Sequence, residues 1–189
     1  AITGTTAAIW LASLGVGLGC DNVTIRNTNI FGSNATETLT TTLGIVAGGT
    51  ALSITSAGAD NDNLLIENNH VQRAYYGISI NGLSTGLNNN LQILNNEIGS
   101  DISTDYVWNR GINISYATAP IIAHNYIHDI RVTSGTNISA IEIGYTCANA
   151  LIEANRIHGL AQASTGGSGA YGVNISTATG NDNIIIANN

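Results

Sequence analysis

The sequence predicts an all-β fold in which the chain winds into a stacked solenoid, and three features carry that prediction. A nine-residue pattern recurs along the chain. It is clearest at Asn63–Val71 (NLLIENNHV) and returns at Asn90–Ile98 (NLQILNNEI), Ala119–Ile127 (APIIAHNYI) and Asn149–Ile157 (NALIEANRI). Asn22–Ile30 (NVTIRNTNI) is a weaker copy and Asn183–Asn189 (NIIIANN) a shortened one. Starts at 22, 63, 90, 119, 149 and 183 give steps of 41, 27, 29, 30 and 34 residues. A unit of that size cannot bury its own apolar face and must stack on the next. The second feature is an alternating segment ahead of each copy, and the third is a pair of polar residues, usually Asn-Asn, at a fixed place inside it.

The elements of one coil follow in order. The first strand is the alternating segment: Gly77-Ile78-Ser79-Ile80, Gly111-Ile112-Asn113-Ile114, Ala140-Ile141-Glu142-Ile143 and Gly172-Val173-Asn174-Ile175, with Ala51-Leu52-Ser53-Ile54 and Ala8-Ile9-Trp10-Leu11 as earlier versions. A period of two marks strands rather than helices. A turn leads to a second strand centred on Ile66 and its equivalents. The polar pair makes a tight turn, a short third strand ends on Val71 or Ile, and a variable loop returns to the next coil. Three parallel strands per coil, stacked ~4.8 Å apart, give about six coils and a rise of roughly 25–30 Å.

The paired residues are Asn68-Asn69, Asn95-Asn96, His124-Asn125, Ala154-Asn155 and Asn188-Asn189. Their second members form a column, Asn69, Asn96, Asn125, Asn155 and Asn189, above Thr28. On these residues the chain resembles the right-handed parallel β-helices of the pectate-lyase-like superfamily, whose internal Asn ladder this column matches. The resemblance covers nearly the whole chain and implies the fold, not an activity, since the architecture hosts many. The physical basis is independent of the likeness: Asn tolerates left-handed backbone, and its amide both donates and accepts from coil to coil.

Composition narrows the function classes. The chain has 189 residues, five Arg, no Lys and a formal charge of −7, so it is expected to be one domain spanning 1–189 and a poor nucleic-acid binder. No segment approaches the ~20 apolar residues of a membrane helix. Both ends read as coils cut open, so a segment of a longer protein, with flanking coils or end-to-end self-association, is expected. Five Asn-x-Ser/Thr sequences, at Asn22, Asn34, Asn113, Asn137 and Asn174, are what chance gives in a chain so rich in these residues. Cys20 and Cys147 fall in one column four coils apart, about 19 Å by strand spacing, too far for a disulfide. Neither has Cys or His neighbours at metal-ligand spacing, and no metal site is expected.

Residues equivalent by register become neighbours, so candidate sites are columns. Trp10, Ser53, Ser79, Asn113, Glu142 and Asn174 point outward from the first strand, preceded by Tyr76, Arg110, Ser139 and Tyr171. The loops at 99–110, 128–139 and 158–171 add Tyr106, Trp108, His128, Asp129, Arg131 and His158. Tyr76, Arg110, Asn113, Glu142, Tyr171 and Asn174 are the expected ligand-binding set, because aromatics stack on sugar rings while Arg, Asn and Glu bond hydroxyls and uronate carboxylates. The opposing expectation is that the loops only pack on the coil. Glu142, with Asp129 or Asp105 as partner, and Arg110 are the candidate catalytic groups. Register alone fixes no second carboxylate near Glu142 and assembles no acidic cluster beside Arg110 or Arg131. His128 and His158 are expected to touch across adjacent coils, as a structural polar stack, the alternative being a pair that binds a metal or titrates near neutral pH. Asn29, His70, Glu97, Tyr126 and Arg156 form a solvated column with modest ion pairing, and His124 is a turn variant. Leu65, Ile121, Leu151 and Ile185, sharing an outward column with Thr24 and Gln92, are a candidate interface.

These observations favour a structural or adhesive module of a secreted or cell-surface bacterial protein with a carbohydrate-facing side, and they require no cofactor. One alternative is a polysaccharide lyase or glycoside hydrolase acting on an acidic polysaccharide, with Ca²⁺ in the lyase case alone. This chain departs from those relatives, having no Lys and neither the Asn-Thr-Asp nor the Gly-His-Gly signature of the hydrolases. The other alternative is a partner-bound component of a bacterial surface or secretion assembly. A glycan or a surface protein is the expected partner.

Overall fold

The computed structural model describes residues 4–33, 40–176 and 179–189. Asn34, one of the five sequence matches for glycosylation, lies outside them. Each coil turns two corners on left-handed residues. The first corner uses Asn22, Asn63, Asn90, Ala119, Asn149 and Asn183, and the second uses Asn27, Asn68, Asn95, His124, Ala154 and Asn188, all with positive φ. Asn predominates because its short side chain offsets the cost of this backbone with local hydrogen bonds.

Between corners the chain lays down three parallel sheets. The first stacks Thr6–Ala12, Thr42–Gly48, Ala74–Asn81, Val107–Ser115, Ile138–Ile143 and Ala170–Ile175. The second stacks Thr24–Arg26, Leu65–Glu67, Gln92–Leu94, Ile121–Ala123, Leu151–Glu153 and Ile185–Ala187. The third stacks Asn29–Phe31, His70–Gln72, Glu97–Ile98, Tyr126–His128 and Arg156–His158. The result is a parallel β-helix of about five turns. Inside it, Ile78, Ile112 and Ile141 stack from the first sheet, Ile66, Ile93, Ile122 and Ile152 from the second, and Val71, Ile98 and Ile127 from the third, all fully buried. Each contributes about 1.5–3 kcal/mol by leaving water.

The Asn column is the polar spine of this interior. Asn69 Oδ1 accepts from Thr28 N and Oγ1 at 3.2 and 2.8 Å. Asn69 N and Nδ2 both donate to Asn96 Oδ1 at 3.0 Å. The same pattern links Asn96 to Asn125, Asn125 to Asn155 and Asn155 to Asn189. Each Nδ2 also donates to a second-sheet carbonyl, such as Asn96 to Ile66 O at 2.9 Å.

A shorter second ladder lies two residues before each repeat. Cys20 N donates to Asn61 Oδ1 at 2.9 Å, Asn61 N to Asn88 Oδ1 at 3.0 Å, and Cys147 N to Asn181 Oδ1 at 2.8 Å. Both cysteines are free, as the register predicts. Burial pushes the Cys147 thiol up to about 11, so it stays protonated.

One strand differs from expectation. Ala51–Ile54 is not in a sheet; Thr42–Gly48 occupies that place, and Val46, not Ser53, lies between Trp10 and Ser79. Residues 49–56 instead close a turn, with Gly49 N donating to Ser56 O at 3.0 Å.

Candidate functional site

The outward columns of the first sheet stack as the register requires. Tyr76, Arg110, Ser139 and Tyr171 are paired in turn, as are Ser79, Asn113, Glu142 and Asn174. Side chains then link the columns. Arg110 Nε lies 2.5 Å from Glu142 Oε2, a close ion pair without hydrogen-bond alignment. Ser139 Oγ and Asn174 Nδ2 donate to the same carboxylate oxygen at 3.1 and 3.3 Å. The Arg110 guanidinium also stands 5.9 Å from the Tyr76 ring centre. Burial raises the Tyr76 phenol, against the lowering effect of Arg110. Asn113 Nδ2 donates to Ser79 Oγ at 3.4 Å, and Tyr171 is exposed at the rim.

Each of Arg110 and Arg131, for which the register assembles no acidic cluster, pairs with a single carboxylate. Arg110 pairs in register with Ser139, and its side chain reaches along the neighbouring strand to Glu142, three residues on. Arg131 meets Asp129 two residues away, with Nη2 2.5 Å from Oδ1. Asp105 is held by Arg73 at 2.7 Å. The three candidate acids, Glu142, Asp129 and Asp105, are therefore each neutralised by their own arginine.

The loops build a concave feature beside the row. A cleft of about 290 Å³ is lined by Tyr106, Trp108 and Arg131, with Val132, Ala161 and Ala163 among its walls. Tyr106 and Trp108 meet edge to face with ring centres 5.6 Å apart, and the Arg131 guanidinium lies 5.4 Å from the Tyr106 ring centre. Arg131 is fixed because its strand pairs with Ala161–Gln162 on the next coil. The sequence had pointed to Tyr106, Trp108 and Arg131 as loop residues. It missed their convergence, and it missed the small Ala161 and Ala163, which leave the space open.

A second feature lies at the opposite corner. Asn68, Asn95, His124, His70, Glu97 and Tyr126 line part of an open polar groove of about 600 Å³ along the Asn turns. Its column of Asn29, His70, Glu97, Tyr126 and Arg156 stacks as expected. His128 and His158 pair across adjacent coils with ring centres 5.5 Å apart. Tyr126 stacks on His128 at 4.3 Å, and its hydroxyl lies 2.7 Å from His158 Nε2. His124 is an exposed turn residue.

The apolar outward column of the second sheet also stacks in register. Leu65, Ile121 and Leu151 are half-buried by their neighbours, whereas Ile185 is 59% exposed.

No family model matches the chain, and neither curated proteins nor solved structures give a match. Among the described residues no helix is long and apolar enough to cross a membrane.

Proposed function

We propose that the chain is a rigid β-helix module that binds carbohydrate through the cleft of Tyr106, Trp108 and Arg131, in a structural or adhesive protein of a bacterial surface. One observation carries the reading: two aromatic rings at an angle and one guanidinium face a preformed space of about 290 Å³. Such a space suits one sugar residue, whose apolar ring face packs on an aromatic while its hydroxyls or carboxylate meet the cation. The neighbouring row of Tyr76, Arg110, Asn113, Glu142, Tyr171 and Asn174 extends the polar surface along which a chain of sugars would lie. The pairing of each candidate acid with its own arginine favours binding over hydrolysis, which works through two carboxylates placed across the scissile bond.

The test is a glycan array with wild type, Tyr106→Ala, Trp108→Phe and Glu142→Gln, alongside a product assay on acidic polysaccharides. Binding without turnover, weakened about tenfold by Tyr106→Ala while circular dichroism is unchanged, is the expected result. Turnover abolished by Glu142→Gln would replace the module reading with a carbohydrate-active enzyme.

A further inference from the structure

His128 is a buried imidazole, 2% exposed, set among acids. Its Nδ1 lies 3.0 Å from Asp129 Oδ2 and 3.7 Å from Asp101 Oδ1, and its Nε2 lies 3.3 Å from Glu97 Oε1. One donor atom from each of Asp101, His128 and Asp129 falls within 4.8 Å of the others. Three carboxylates thus surround one ring, and Arg131 is committed to the other oxygen of Asp129. When Nε2–H donates to Glu97, Nδ1 carries a lone pair, and it lies with Asp129 Oδ2 and Asp101 Oδ1 in a cluster whose atoms are all within 4.8 Å of one another.

We propose that Asp101, His128 and Asp129 form a binding site for a divalent transition-metal ion of the Zn²⁺ class, with Glu97 holding the imidazole from behind. Four lines of chemistry support it. Ligands at about 2.0–2.1 Å from a tetrahedral ion stand roughly 3.3 Å apart, close to the separations of 3.0 and 3.7 Å found here. One imidazole with two carboxylates is a borderline donor set suited to such ions. A carboxylate on the far ring nitrogen sets the tautomer and raises ligand basicity. The ring already packs against both Tyr126 and His158, which also touch each other, so little order is lost on binding. Asp101 is 90% exposed and free to rotate the remaining distance. Solvent water completes the coordination.

The site adjoins the sugar cleft through the Asp129–Arg131 ion pair, but Zn²⁺ uptake is measured without sugar and stands or falls by its own result. Metal-free protein is titrated with Zn²⁺ by calorimetry, and with Ca²⁺ in parallel. One Zn²⁺ per chain is expected. Asp101→Asn should weaken binding by about tenfold or more without lowering the melting temperature of the metal-free protein, and Glu97→Gln by about 10–100-fold. Changing the exposed His124 to Ala should alter nothing. Absence of stoichiometric Zn²⁺ uptake overturns the proposal. So does uptake unchanged in Asp101→Asn, uptake lost in His124→Ala, or a preference for Ca²⁺, which takes oxygen ligands.

Discussion

Asn96 makes more of this structure than its size suggests. Its Oδ1 accepts two hydrogen bonds from Asn69, its N and Nδ2 both donate to Asn125 Oδ1, and Nδ2 also serves Ile66 O. Replacing it by Ala leaves buried donors and acceptors without partners, each costing ~1–3 kcal/mol, so a loss of about 3–5 kcal/mol in urea unfolding is expected. Its neighbour Asn95 is exposed with φ 55°, and Ala154 already occupies the equivalent left-handed position two coils on. Asn95→Ala should therefore cost only about 1 kcal/mol. Asp129 gives a second prediction at this scale. Burial works against its ionisation, but the hydrogen bonds and charges of His128 and Arg131 outweigh that and hold its carboxyl below the usual range. A folded value below the unfolded one stabilises the protein above the unfolded carboxylate range, and the contribution fades as pH falls through the folded value. Asp129→Asn, which keeps a residue suited to φ 52°, should be less stable than wild type at pH 7 in metal-free buffer. The gap should close below about pH 4, as read by thermal melts across pH.

At the scale of the coil, one glycine sets the position of His128. Gly99 has φ +132°, and a Cβ there would lie 1.9 Å from the His128 carbonyl oxygen and 3.3 Å from its ring. Gly99→Ala should cost about 2–4 kcal/mol through strain and overpacking, measured by denaturant unfolding, and should displace the ring stack. The strand order of each coil was legible in the sequence because the tight turn pins register: Asn69, Asn96, Asn125 and Asn155 could be aligned by counting, and so could Tyr76 with Arg110 and His128 with His158. The long 41-residue step was not readable in this way. It holds two alternating segments, Gly44–Ala47 and Ala51–Ile54, and only packing chooses between them. Gly44 marks the answer, since a Cβ there would meet Gly77 O at 2.3 Å. The ion pairs were hidden for another reason. Arg110 pairs in register with Ser139 but sends its side chain on to Glu142, and Asp101 approaches His128 from a loop that follows no repeat; neither side-chain direction is encoded by spacing.

On the scale of the whole molecule, consecutive coils make nearly all of the interactions, so each winding is supported chiefly by the ones above and below. The bonds of the Asn spine span 41, 27, 29, 30 and 34 residues of chain yet stay between 2.8 and 3.2 Å. Differences in chain length are absorbed wholly by the loops. It follows that length is modular. Excising residues 96–124 would join Asn95 directly to Asn125, restore an Asn-Asn turn at the seam and close the gap with a rung of the same kind. A protein one storey shorter should still melt in a single cooperative step, whereas excising only half a winding would bring unlike faces together and fail to fold.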